Sequence, residues 1–266
     1  MKYLFAYIEL TLFYFAMLTI GLFAATSCSN DEFVENDDST QQVVKSEKDL
    51  FRFIYDGKEY AEEYEIIDSI MVFKNAEIGD LICSLESNPE VATLNYPDGL
   101  VHYFKSNKEF EEYIQSENFI NEDIETRLLY PRYLVSLTLR VYQDTDFGGE
   151  MLMYTNPIEV PSMKNAYNQR PPLAFKDFND IISSFQFTST VLSSQFTPNK
   201  SCTKAIVTFY EHEDYVGGNI SYLITPDAPN ASHNNLKNVK RCPGCKTNMN
   251  DRISSFKIVA YAWHEN

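Results

Sequence analysis

Asn179-Asp180-Ile181-Ile182-Ser183-Ser184 and Asn250-Asp251-Arg252-Ile253-Ser254-Ser255 write nearly the same six residues twice, 71 positions apart, and a Phe follows each copy. Each copy supplies an amide, a carboxylate and two hydroxyls within one short frame. These are oxygen donors with no thiol or imidazole among them, the set that suits a hard cation rather than a transition metal. The same groups also cap turns and satisfy backbone N–H groups. The repeat is therefore either a folding signal of a duplicated unit or a site whose oxygens bind something.

Other chemistry-bearing residues are weaker candidates. Cys242-Pro243-Gly244-Cys245 has redox spacing but lies in a polar loop, without the strand and helix start that thioredoxin-like chemistry needs. No second Cys or His pair completes a zinc ribbon. A structural disulfide is expected, either within this segment or from Cys202 to one of its cysteines; Cys83 is the remaining candidate partner. His212 sits between Glu211 and Glu213, within a hairpin whose polar residues are expected to face solvent. Nucleophile-elbow, His-Glu-x-x-His and Cys–His signatures are absent from the sequence, although paired glycosidase carboxylates leave no local signature.

The elements that must position the repeated oxygens differ between the two halves. Over 48–130 the chain predicts a small α+β module. An Asp56-Gly57 turn separates two strand-like runs, residues 76–88 carry Ile78, Leu81, Ile82 and Leu85 on one helical face, and Pro97-Asp98-Gly99 joins two short strands. Ser106 and Glu109 form a capping box ahead of Phe110, Tyr113 and Ile114. His102 reads as a partly exposed sheet residue. From 131 to 266 the pattern alternates with period two. Val135, Leu137, Leu139 and Val141 should face one way, and Ser136, Thr138 and Arg140 the other. No helical segment of useful length follows, so this half is expected to be all-β.

Two longer stretches of this half also align. In 139–156 and 206–225, Tyr142 matches Tyr210, Phe147 matches Tyr215, and Gly149 matches Gly217, with one Asn-Asp-x-Ile-Ser-Ser-Phe about thirty residues after each hairpin. The pattern of aromatic, four residues, aromatic, any residue and Gly, followed by the oxygen-rich repeat, resembles the microbial calcium-binding branch of the βγ-crystallin family. The resemblance covers about 134–264. It implies a Greek-key double-sheet domain in which each hairpin folds over and the two keys share one core. It also implies that the repeats are calcium clamps. Asp180 and Asp251 would give carboxylates, Ser183 and Ser254 hydroxyls, Ile181 and Arg252 main-chain carbonyls, and residues near Gln143 and Glu211 a further carbonyl from the partner hairpin. The second serines, Ser184 and Ser255, would tie the hairpins down. Calcium accepts six to eight oxygens, with water completing the shell. Arg252 sets a cation beside the second site and should weaken it unless it swings away. Residues 157–177 and 226–248 read as insertions that form stapled loops or a binding surface.

The amino-terminal residues set a location. Lys2 precedes an apolar run at 10–25, read as a signal peptide over 1–27. Ala25-Thr26-Ser27-Cys28 resembles a lipobox, with Ala25 in place of the usual Leu, so Cys28 is the expected lipidation site. Residues 29–33, Ser-Asn-Asp-Glu-Phe, resemble the acidic tag of surface lipoproteins of the Bacteroides group, and 28–47 reads as a disordered tether. The expected setting is the outer membrane of a Gram-negative cell, lipid-anchored and surface-facing. A net charge of -16 argues against nucleic acid as a partner. The function expected is a calcium-stabilised structural or binding module, not an enzyme, engaging an extracellular glycan or protein. A surface hydrolase or an inhibitor- or toxin-like β-sandwich stays open as the alternative.

Overall fold

The structure, a computed structural model, describes residues 50–68, 70–121, 131–164, 166–167, 175–237 and 249–262. The expected signal peptide, Cys28, the tether and the Cys242–Cys245 segment lie outside the described residues.

Local signals account for the first elements. Strands β1 (Leu50–Tyr55) and β2 (Lys58–Ile67) are joined by Asp56 and Gly57 at φ 52 and 73, the positive pair that a tight hairpin turn requires. Strand β3 (Ile70–Phe73) pairs antiparallel with β2. Helix α1 (Ala76–Ser87) starts where the Asn75 side chain accepts the Glu77 N–H, and it buries Ile82 and Leu85 with Ile78 and Leu81 packed beside them. Strands β4 (Ala92–Asn95) and β5 (Val101–Phe104) flank the Pro-Asp-Gly turn. Helix α2 (Asn107–Ile114) has the Ser106 cap, whose Oγ accepts the Glu109 N–H at 3.3 Å. The return bond of the box is displaced by one residue, because Glu109 accepts the N–H of Lys105 at 2.6 Å. Helix α3 (Glu117–Asn121) closes the segment.

Among the described residues the second half has β-strands and one 3-10 turn at Glu213–Tyr215. Its strands are β6 (Arg132–Tyr142), β7 (Met151–Thr155), β8 (Ile158–Val160), β9 (Ala166–Tyr167), β10 (Phe175–Lys176), β11 (Ser184–Ser193), β12 (Ser201–Cys202), β13 (Lys204–Tyr210), β14 (Asn219–Ile224), β15 (Asn230–His233) and β16 (Ser255–Tyr261). Each repeat places a hairpin and its fourth strand in one sheet and sends its third strand to the other. Thus β6, β7 and β11 accept β15 along β11, while β13, β14 and β16 accept β8 along β16. This exchange makes two interlocked Greek keys. The two regions read as insertions contain these crossing third strands. Between the sheets lies one apolar core that includes Leu139, Val141, Phe185, Val207, Phe209 and Phe256.

The alternation along β6 is not the one the sequence suggests. Leu137, Leu139 and Val141 are buried as expected, but Leu134 is the next core residue and Val135 is only half-buried. Ser136 has φ 60, and the pairing with β11 shifts between Thr188 and Thr190. A β-bulge there adds one residue to β6 and reverses the phase of every side chain before it.

Strand β4 runs parallel to β14, with Ala92 opposite Asn219 and Asn95 opposite Tyr222. The α+β segment therefore continues the second sheet, in the order β3-β2-β1-β5-β4-β14-β13-β16-β8, and Ser46–Asn266 form one compact unit. Helices α2 and α3 cover the outer face of that sheet, packing Phe110, Ile114 and Phe119 against Phe104, Ile206, Leu223 and Tyr261. Strand β13 is consequently buried at every residue. Even Lys204 is 2% exposed; its ammonium donates to the Phe119 carbonyl at 2.5 Å and lies 4.6 Å from the Phe119 ring centre.

Cys83 and Cys202 are free thiols, so the expected bridge from Cys202 is corrected. Cys202 is buried in the inter-sheet core, where desolvation pushes its thiol up to about 12 and keeps it protonated. His102 lies against Phe104 and Tyr113, with ring centres at 4.0 and 4.8 Å, and burial lowers its pKa from 6.5 to about 4. The folded form therefore binds fewer protons than the unfolded chain between these values. Stability is retained above about pH 6.5 and lost as pH falls toward about 4. The urea midpoint of a His102→Phe variant should fall less between pH 7 and 4.5 than that of the native chain; an equal fall would contradict this assignment.

Candidate functional site

The two oxygen-rich repeats meet where the keys interlock. Each stands between its key's third and fourth strands, and the backbones cross-pair: Asp180 N–H donates to the Ile253 carbonyl and Asp251 N–H to the Ile182 carbonyl, both at 3.1 Å. Both aspartates adopt the left-handed conformation, at φ 57 and 55. Asp tolerates that region better than most residues. The preceding Asn holds one carboxylate oxygen in each copy: Asn179 Nδ2 donates to Asp180 Oδ2 at 2.9 Å, and Asn250 Nδ2 donates to Asp251 Oδ2.

The other carboxylate oxygen points across to the opposite copy. Ser254 Oγ lies 2.8 Å from Asp180 Oδ1, and Ser183 Oγ lies 3.3 Å from Asp251 Oδ1. Ser254 Oγ is also 2.8 Å from the main-chain carbonyl of Glu211. Three oxygens thus converge with one hydroxyl proton between them, leaving partial negative charge that a cation can balance. Their separations also suit a calcium shell, since oxygens about 2.4 Å from one ion stand roughly 3 Å apart.

The Asp251–Ser183 pair is less complete. Gln143 donates its N–H to the Glu150 carbonyl, and Ser183 bonds to Asp251 without reaching the Gln143 carbonyl among the described residues. Ile181 packs against the inter-sheet core. The structure thus brings together Asp180, Ser254 and the Glu211 carbonyl in one place, and Asp251 with Ser183 in another. Among the described residues no group of three His, Cys, Asp or Glu side chains gathers into a metal cluster. One carboxylate per cluster is the donor set of a weak or moderate calcium site rather than a tight one.

The second serines hold the hairpins. Ser184 Oγ donates to the Asp144 carbonyl at 2.6 Å and accepts the Phe147 N–H at 3.2 Å. Ser255 Oγ does the same with His212 and Tyr215, at the same distances. The aromatic pairs fold together alike, Tyr142 with Phe147 at 5.5 Å and Tyr210 with Tyr215 at 5.6 Å. Gly149 and Gly217 have φ 67 and 86, and a Cβ would come within 2.7 Å of Asp144 Oδ2 or 2.9 Å of His212 Cδ2. Both strain and contact therefore demand glycine.

Arg252 is the one charged departure between the copies. Its guanidinium turns to the Glu211 carboxylate and forms an ion pair with it. Glu211 was expected to face solvent with its hairpin neighbours, yet it is 8% exposed, whereas His212 and Asp214 are exposed. The hairpin folds over at His212, turning Glu211 inward toward Arg252. The cation beside the second site is therefore neutralised by a side chain whose own main-chain carbonyl belongs to that site.

No protein-family model matches the sequence, and no curated protein matches it. A solved structure described as "Evolution of the eye lens beta-gamma-crystallin domain fold" is similar over 48% of this chain and 89% of that chain, at 14% identity and a TM-score of 0.30.

Proposed function

We propose that residues 131–266 form a βγ-crystallin-type domain whose paired repeats hold calcium, and that the chain serves as a structural or binding module on an extracellular surface. The observation that carries this reading is the exchange between copies: Asp180 meets Ser254, and Asp251 meets Ser183. A sequence kept only for folding needs Ser184, Ser255 and the glycines, which already tie both hairpins. It does not need two carboxylates turned across to hydroxyls of the other copy. Calcium, when bound, would supply positive charge that locks the two keys together. Asp180, Ser254 and the Glu211 carbonyl would hold it in one place, with Asp251 and Ser183 in the other; Ile181, Arg252 and Gln143 would add carbonyls. Under the same proposal Cys28 carries lipid that anchors the chain to the outer membrane of a Gram-negative cell. Its partner there would be an extracellular glycan or protein, bound without catalysis.

A ligand that binds only the folded state stabilises it by RT ln(1 + [L]/Kd), about 2.7 kcal/mol at a hundredfold excess over Kd. The melting temperature should rise with millimolar calcium, fall in EDTA and respond less to magnesium, which prefers a stricter octahedral shell. An unchanged melting temperature in calcium would overturn the reading.

A further inference from the structure

Strand β3 ends the nine-stranded sheet, and among the described residues it has one neighbouring strand, β2. The Lys74 N–H donates to the Glu63 carbonyl, so Lys74 and the strand residues in phase with it, Ile70 and Val72, turn their backbone groups toward β2. The N–H and C=O groups of Met71 and Phe73 therefore point out from the edge. Side chains here are apolar on both faces of the sheet. Ile67 and Val72 lie on one face at 51% and 43% exposure, and Ile66 stands opposite Met71 on the other at 49%. Open sheet edges are commonly guarded by a charge, a proline or a bulge. Ile70–Phe73 carries none of these.

An unguarded edge of this kind is a template for a second strand, and the charges at its ends select which strand. In antiparallel pairing about a two-fold axis, residues with outward backbone groups must meet one another, which allows Met71 opposite the partner's Met71. That register sets Ile70 opposite the partner's Val72 and brings Lys74 beside the partner's Asp68. A shift of two residues either way sets Lys74 opposite Ile70, or Asp68 opposite Val72, and loses both charge pairs. Asp68 is exposed and the Lys74 side chain half-exposed, so each is open to a partner. We propose that two copies of this chain associate through β3, antiparallel and with Met71 on the two-fold axis. The sheets of the two copies then run on as one, and Ile67, Ile70 and Val72 of each form a shared aliphatic row. The contact lies away from the calcium clamps and does not depend on their being filled.

The test is sedimentation of the folded chain in EDTA, at an ionic strength that screens the repulsion between two chains of net charge -16. Between about 10 µM and about 1 mM the monomer should pass to a dimer, with a dissociation constant on the order of 0.1 mM, the weak class expected of so short a strand. Lys74→Asp alone, or Asp68→Lys alone, sets like charges together at both ends and should weaken the dimer about tenfold. An equimolar mixture of the two variants should recover it, because every Asp again meets a Lys. Hydrogen exchange on the native chain needs no variant to fold. The amides of Met71 and Phe73 should gain protection as concentration rises, while the edge amides of β8 and β15 do not. A chain that stays monomeric, a mixture no tighter than either variant, or protection that rises elsewhere but not at Met71 and Phe73 would overturn the proposal. If either variant fails to fold, the exchange result on the native chain decides.

Discussion

A chain that begins at Pro131 is expected to lose most of its stability relative to residues 46–266. The reason is the continuous sheet. Without β4, the backbone edge of β14 from Asn219 to Tyr222 loses its parallel partner. Without α2 and α3, Ile206, Leu223 and Tyr261 are uncovered on the outer face. Burial of a large apolar side chain contributes about 1.5–3 kcal/mol, so these three represent roughly 5 kcal/mol or more. Lys204 would also lose the Phe119 carbonyl and ring that surround its ammonium. That sum is comparable with the whole stability of many domains, about 5–15 kcal/mol. The exposed strand edge beside an apolar face also favours aggregation. Urea unfolding should show a much lower midpoint for the truncated chain, or the chain should be insoluble. An unchanged midpoint would mean that the two segments merely touch.

Where local chemistry dictates the structure, the residues made it legible. Asp56-Gly57, the Ser106 cap and the face of α1 each carry their signal within a few positions. The hairpins were readable because two aromatics and a glycine must recur at fixed spacing to fold over. The bulge at Ser136 was not readable, since Leu134 and Val135 are both apolar and either phase satisfies the pattern. Nor was the joining of β4 to β14, which links residues more than a hundred positions apart. A hint of it lay in Ala205-Ile206-Val207, consecutive apolar residues of a strand buried on both faces, where a half-exposed strand would alternate. In the site, residue types and spacing were legible, but the pairing across copies was not. It follows from the interlocking of the keys, which sets each Asp beside the other copy's Ser. The meeting of Arg252 and Glu211 likewise depends on how the second hairpin folds over.

The second large effect concerns calcium itself. Two unequal sites are expected, and the structure reverses the order that Arg252 alone suggests. In the site around Ser254, Asp180 Oδ1 and the Glu211 carbonyl oxygen both lie 2.8 Å from the Ser254 hydroxyl, and the neighbouring guanidinium is neutralised by Glu211. The site around Ser183 has one contact at 3.3 Å. Preorganised donors lose less freedom when an ion arrives, so the Ser254 site should bind more tightly. Asp180→Asn should weaken that tighter site by about tenfold, as expected for loss of a charged ligand. Because Asp180 and Ser254 serve the same ion, adding Ser254→Ala should cost less than the sum of the two changes. Adding Ser183→Ala instead should impair the other site independently.

The most direct measurement is therefore a calorimetric calcium titration of the native chain, Asp180→Asn, Ser254→Ala, Ser183→Ala and the two double variants. Two sites are expected in the native chain, with coupling between Asp180 and Ser254 and additivity between Asp180 and Ser183. A native chain that takes up no calcium, or coupling of Asp180 with Ser183 of its own copy instead, would contradict the pairing of the repeats as a calcium site.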